Sequence, residues 1–141
     1  MGSEASYWLL KTEPQTYSFA KLTTERKTTW TGIRNYQARN FMRAMKPGDW
    51  ALIFHTGDEK AVVGVAKVVS SPGPDPTAPR EDWAAVDLAA HESLVEPVSL
   101  ERLKHTASLR DLALLKQSRL SVSPLRAKEF NAILKLGQTR L

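Results

Sequence analysis

Trp30 lies in the string Thr29-Trp30-Thr31-Gly32-Ile33-Arg34-Asn35-Tyr36-Gln37, where an indole, a phenol, a guanidinium and two amides crowd a glycine-containing stretch. An aromatic face stacks on a nucleobase for about 1–3 kcal/mol, and amide or guanidinium groups pair with a base edge or a phosphate. The same residues have a plainer use, with Trp30 filling the core and Asn35 capping a helix. Two other stretches end in polar groups, Lys11-Thr12-Glu13-Pro14 and Arg119-Leu120-Ser121-Val122. Hydroxyls at strand ends bond a ligand edge or close a turn, and on pattern alone the turn is the better reading. Groups for catalysis are sparse. His55, His91 and His105 have no metal-ligand spacing, and the chain has no Walker A loop, dinucleotide fingerprint or nucleophile elbow. Without cysteine, disulfides, thiolate metal sites and cysteine nucleophiles are excluded. No catalytic residue, metal site or cofactor is expected.

The elements that must position these residues follow from pattern. Tyr7 to Thr12 is a compact aromatic and apolar run stopped by Pro14, and reads as a buried strand. Ser18 precedes one helical turn at Phe19 to Leu22. Asn35 to Lys46 is an amphipathic helix, with Ala38, Phe41, Met42 and Met45 on one stripe and Arg39, Arg43 and Lys46 on another. Asp49 to His55 and Ala61 to Val69 form an antiparallel hairpin around a turn at residues 56–60, with Gly64 marking a bend or close approach. Ser70 to Arg80, with four prolines, is a loop. Residues 83–91 have a strand-like centre, although four alanines also permit a helix. Ser99 caps a helix from Leu100, Leu120 to Val122 is a short last strand, and Ser123-Pro124 opens a final helix that ends before Gly137. The sum is a small α+β domain of roughly five strands with covering helices.

The whole chain sets the partners. Its 141 residues suffice for one domain with its own core. The expected layout is a flexible N-terminus at 1–6, a single domain at 7–137 and a C-terminal tail at 138–141. Twenty Lys and Arg against fifteen Asp and Glu give a formal charge of +5, which attracts phosphate. No apolar run approaches the roughly 20 residues of a membrane-spanning helix, so no membrane partner is expected. Met1 to Ser6 fits the loose N-myristoylation pattern, read as an incidental match. The cysteine-free composition suits a reducing, cytoplasmic setting, and a monomer is expected.

The order of these pieces carries a resemblance. Tyr7-Trp8-Leu9-Leu10-Lys11-Thr12-Glu13-Pro14 resembles the opening Y-W-L-x-K-S-E-P of the EVE family. The string Trp30 to Asn40 closely resembles its W-D-G-V-R-N-Y-Q-A-R-N signature. Lys46-Pro47-Gly48-Asp49, Phe54-His55-Thr56, Val63 to Val68, Pro74-Asp75-Pro76-Thr77 and Leu114 to Val122 continue the match, so it runs from about Tyr7 to Leu136. The resemblance implies a PUA-like fold, a mixed, partly open β-barrel with helices around it. It also implies a non-catalytic pocket for a modified base in DNA or RNA, in a cytoplasmic protein, or a nuclear one in a eukaryote. By position, Trp30 and Tyr36 would wall the pocket, Thr12, Asn35 and Ser121 would bond the base edge, and Phe54 and His55 would close it. Lys11, Arg34, Arg39 and Arg119 would contact phosphate.

Three departures from the pattern bear on the ligand. Thr31 stands where the family has Asp, Thr12 where it has Ser, and the stretch after Thr77 reaches Trp83 quickly. Two other readings compete with the base reader. Some PUA-like relatives are amidohydrolases that act on acylated nucleosides through Lys, Thr and Glu, types that Lys11, Thr12 and Glu13 supply. Neighbours on a strand face opposite ways, which argues against their convergence. The basic face would alternatively dock an acidic protein.

Overall fold

The computed structural model describes residues 5–80 and 82–141, so most of the Met1 to Ser6 lipidation pattern lies outside the described residues. The chain forms β1 (Tyr7–Thr12), α1 (Phe19–Glu25), β2 (Lys27–Trp30), α2 (Tyr36–Arg43), β3 (Trp50–His55), β4 (Ala61–Val68) and β5 (Gly73–Pro74). It continues with β6 (Ala84–Ser99), α3 (Leu100–Lys104), a 3₁₀ turn (Ala107–Leu109), α4 (Ala113–Lys116), β7 (Val122–Leu125) and α5 (Ala127–Leu136). The sheet order is β2-β6-β4-β3-β1-β7, with β5 attached to β6. The β1–β3 pair is parallel and the other pairs are antiparallel, so the sheet is mixed, and it is not closed.

Alternation along the strands separates two cores. Trp8, Leu10, Ala51 and Ile53 pack on one face with Phe19, Leu22, Trp30 and Met42 from α1, β2 and α2. Leu9, Leu52, Phe54 and Val62 pack on the other face with Leu103, Leu109, Phe130 and Ile133. Ser18 and Ser99 cap α1 and α3 through their hydroxyls, at 3.0 and 3.1 Å. Buried Asp49 ties the start of β1 to the turn that leads into β3. It accepts from Ser6 N–H and the Trp8 indole at 2.9 Å each, and from the Lys46 backbone N–H and ammonium at 3.0 Å each. Burial alone would raise the Asp49 pKa, but these donors outweigh it and hold it below the usual carboxylate value.

Gly64 is the close approach that the sequence implied. A Cβ there would collide with the Phe19 ring, and the β4–β6 register shifts between Val62 and Gly64. Residues 84–90 are strand, the first half of a 16-residue β6 whose bulges bend it along β4.

Four expectations need correction. The sheet has seven strands rather than about five, because β2 and β5 were not anticipated. β2 is a short polar run, Lys-Thr-Thr-Trp, with no period-2 signal, and β5 is two residues inside the proline-rich loop. The last strand is Val122–Leu125 and includes Pro124, which pairs with Trp8 instead of opening a helix. β7 is an edge strand, where a missing N–H leaves no ladder partner unsatisfied. The final helix starts at Ala127, fixed by Glu129, whose carboxylate accepts from Arg126 N–H at 2.8 Å. The Asn35-capped helix ends at Arg43, with residues 44–48 forming the turn.

Candidate functional site

A hollow of about 460 Å³ opens where β1 ends and β2 leads into the Thr31–Ile33 loop. That size falls in the usual range for small-ligand sites. Lys11, Thr12, Trp30 and Ser121 all border it, as do Glu13, Thr16, Tyr17, Thr28, Thr29 and Thr31. Its position follows from chain termination. Pro14 cannot extend β1, Gly32 carries φ +86° after β2, and Lys11 N–H donates to Ser121 O at 3.0 Å, which brings the approach to β7 alongside. The Tyr17 ring meets Trp30 edge-on, with centroids 6.0 Å apart at 90°, so two aromatic groups line the hollow. A larger hollow of about 770 Å³ lies beside Tyr7, Trp50 and Phe130, bordered by Thr139 and Leu141. None of the residues singled out from sequence borders it.

Hydroxyls dominate the polar lining. The Thr12 hydroxyl donates to Tyr17 O at 2.7 Å, which leaves its lone pairs to accept. Burial pushes the Tyr17 phenol pKa up, helped by its 2.6 Å hydrogen bond to Glu25. Lys11 reaches Ser118 O at 2.7 Å, and partial burial pushes its pKa down. Glu13 also borders the hollow, contrary to the strand-alternation argument, because β1 has ended at Thr12. Lys11, Thr12 and Glu13 thus meet at one cavity, yet each polar group already has a partner, Glu13 accepting from Thr56 at 3.2 Å.

The other residues singled out from sequence fall elsewhere. Asn35 caps α2, its Oδ1 accepting from Ala38 N–H at 2.9 Å. Tyr36 is 63% exposed and stacks on Trp83, with centroids 5.0 Å apart. Phe54 is buried in the core on the opposite sheet face. Buried His55 accepts from Phe19 N–H through Nε2 at 3.0 Å and donates from Nδ1 to Glu59 at 2.7 Å, an arrangement that fits the neutral ring. Arg34 pairs with Asp75 at 2.9 Å, Arg39 lies 4.8 Å from the Tyr36 ring centroid, and Arg119 is exposed beside Ser121.

Asp75 was not singled out, although Asp-x-Thr is an Asx-turn pattern and Thr77 N–H indeed donates to Asp75 at 2.7 Å. Its other oxygen accepts from Gly32 N–H and Arg34, each at 2.9 Å. Burial would raise its pKa, but Thr77, Gly32 and Arg34 outweigh that and bring it from 3.8 to about 2. Tyr17, Thr16 and Thr28 were missed because no local pattern announces a cavity wall built from three separate elements. Among the described residues, no cluster of three or more His, Asp or Glu offers a metal site, and no helix is long and apolar enough to cross a membrane.

This mixed open sheet, with a cavity at the end of β1, has close counterparts. The EVE domain family model matches residues 6–136, and the chain belongs to that family. It is similar to mouse (Mus musculus) thymocyte nuclear protein 1, at 35% identity over 169 aligned positions, covering 96% of this chain and 75% of the relative. Among solved structures, an Agrobacterium tumefaciens protein superposes with TM-score 0.92 at 38% identity, covering 96% of this chain and 94% of that one. The human THYN1 protein in complex with 5-methylcytosine-containing DNA superposes with TM-score 0.88 at 30% identity, covering 97% and 100%.

Proposed function

We propose that this chain is a non-catalytic module that takes a modified base of DNA into the Trp30 cavity. The observation that carries the reading is the cavity itself, of about 460 Å³, where Trp30 and Tyr17 supply aromatic surface and threonine and serine hydroxyls supply the edge contacts. Aromatic lining holds any base, and the hydroxyls, with their adjacent methyls, select among substituents. The complex of the human relative with 5-methylcytosine-containing DNA supports a methylated cytosine as the base class. The +5 charge adds affinity that is insensitive to sequence and sensitive to salt. Titration of oligonucleotides carrying 5-methylcytosine or cytosine, at two salt concentrations, tests this reading. A preference for the methylated strand, with affinity for both strands lowered in Trp30→Phe and the preference narrowed in Ser121→Ala, supports it. Equal affinity for both strands, unchanged by Trp30→Phe, overturns it.

A second reading has one observation in its favour, the meeting of Lys11, Thr12 and Glu13 at the cavity. An N-acylated nucleoside would then be a substrate. Turnover abolished by Lys11→Ala would establish that reading in place of the first.

A further inference from the structure

We propose that Tyr36 and Trp83 form a second nucleotide subsite, a stacking platform for the base that flanks the one in the Trp30 cavity. The inference rests on the cavity being a base site and extends it to the neighbouring nucleotide. The two rings stack with centroids 5.0 Å apart and planes 20° from parallel, yet Tyr36 stays 63% exposed. Arg39 does not cover its outer face. The Arg39 guanidinium carbon lies 4.8 Å from the Tyr36 centroid and 5.8 Å from that of Trp83. Were it on the far side of Tyr36, its distance to Trp83 would approach roughly 10 Å given those spacings. Arg39 therefore sits beside the stack, and the tyrosine face looks outward.

The surroundings suit a nucleotide. Arg39 and Arg43 both donate to Asp82 O, at 3.3 and 2.9 Å, which anchors two guanidinium groups next to the rings. Among the described residues neither forms an ion pair with a carboxylate. Trp83 also walls a hollow of about 220 Å³ with Arg43, Pro72 and Pro74, room beside the platform for a sugar or phosphate. An acidic peptide would satisfy the guanidinium groups but leave the outer tyrosine face in water, whereas a nucleotide covers both.

Distance and rigidity join the platform to the cavity. Tyr36 follows the cavity residue Ile33 by three positions, so their Cα atoms are at most about 11 Å apart. At a rise of about 3.4 Å per stacked nucleotide, that span is no more than about three nucleotides, and fewer on an extended strand. One oxygen of Asp75 holds both Gly32 of the cavity wall and Arg34, whose guanidinium carbon lies 5.8 Å from the Trp83 centroid.

The test measures binding of a short single-stranded DNA with one central 5-methylcytosine, and of its cytosine counterpart, to Tyr36→Ala, Trp83→Ala and Tyr36→Phe. Tyr36→Ala should bind both strands about tenfold more weakly, from the loss of base stacking. Trp83→Ala, which removes the ring that backs Tyr36, should weaken binding of both strands by a smaller factor, above about twofold. Their selectivity ratio and melting temperature should be retained, and Tyr36→Phe should bind as the unaltered protein does. Affinities within about twofold of the unaltered protein in both alanine variants would overturn the platform. Loss of the selectivity ratio together with affinity would also overturn it, since Tyr36 would then serve the cavity. If the unaltered protein shows no preference for the methylated strand, the cavity reading fails, while the cytosine strand still reports on the platform.

Discussion

The backbone N–H of Gly32 donates to Asp75 Oδ2 at 2.9 Å, so a buried carboxylate 43 positions away fixes the loop that walls the cavity. The same oxygen takes Arg34, and the other takes Thr77. Removing the charge with Asp75→Asn leaves donors underused and should cost on the order of 1–3 kcal/mol, read as a lower melting temperature. The acid dependence has a definite sign. The folded-state pKa, about 2, lies below the ordinary 3.8, so the carboxylate's contribution is full above about pH 4 and is lost as pH falls toward 2. Melts between pH 5 and pH 2 should show that loss in the unaltered protein and a smaller one in Asp75→Asn. Identical acid profiles would contradict the role given to Asp75.

Gly64 offers a test of packing that leaves the cavity alone. The Phe19 ring occupies the place of its missing side chain, and the ring, in the buried face of α1, cannot swing aside freely. Gly64→Ala should therefore destabilise by about 1–3 kcal/mol, as overpacked cores do. Adding Phe19→Leu should recover part of that loss, because contacting sites are not additive. Chemical denaturation of the two single variants and the double variant gives the coupling.

What the sequence disclosed divides by range of interaction. β1, β3, β4 and α2 were legible because their signals are local: apolar runs, a helical stripe, and caps at Ser18, Asn35 and Ser99. β7 was misplaced because Pro124 reads locally as a helix opener, and only its edge position in the sheet makes it a strand residue. The cavity was half legible. Of the residues expected around a base, Thr12, Trp30 and Ser121 border one hollow, joined by Lys11, which was expected at phosphate. Asn35, Tyr36, Phe54 and His55 do not border it. Phe54 follows from strand parity, since its neighbour His55 faces the other side of the sheet. Tyr36 is drawn outward by Trp83, a residue 47 positions on that no local rule pairs with it.

The basic residues should separate by what holds them. Arg119 is exposed, and Arg119→Gln should weaken methylated and unmethylated strands equally and lower the salt slope by about 0.7–0.9. Arg34 is paired with buried Asp75, so Arg34→Gln should lower the melting temperature and disturb the Gly32 loop along with any phosphate contact. Salt titrations beside thermal melts distinguish the two. A pure salt effect from Arg34→Gln would show that its pair with Asp75 contributes little to the fold.

Thr31 is the position where ligand choice should be most easily changed. It borders the cavity and stands where the family pattern has a carboxylate. A carboxylate there would accept from an exocyclic amino group, such as N4 of cytosine, and would repel a carbonyl in the same place. Thr31→Asp should therefore raise discrimination for 5-methylcytosine over thymine, which differ at that edge, by a factor corresponding to about 1–3 kcal/mol. The threonine hydroxyl both donates and accepts, so the unaltered protein should discriminate these two less. Competition binding with strands differing only at that base measures the ratio. A ratio unchanged by Thr31→Asp would place the base edge away from Thr31 and turn attention to Thr12 and Ser121 on the other wall.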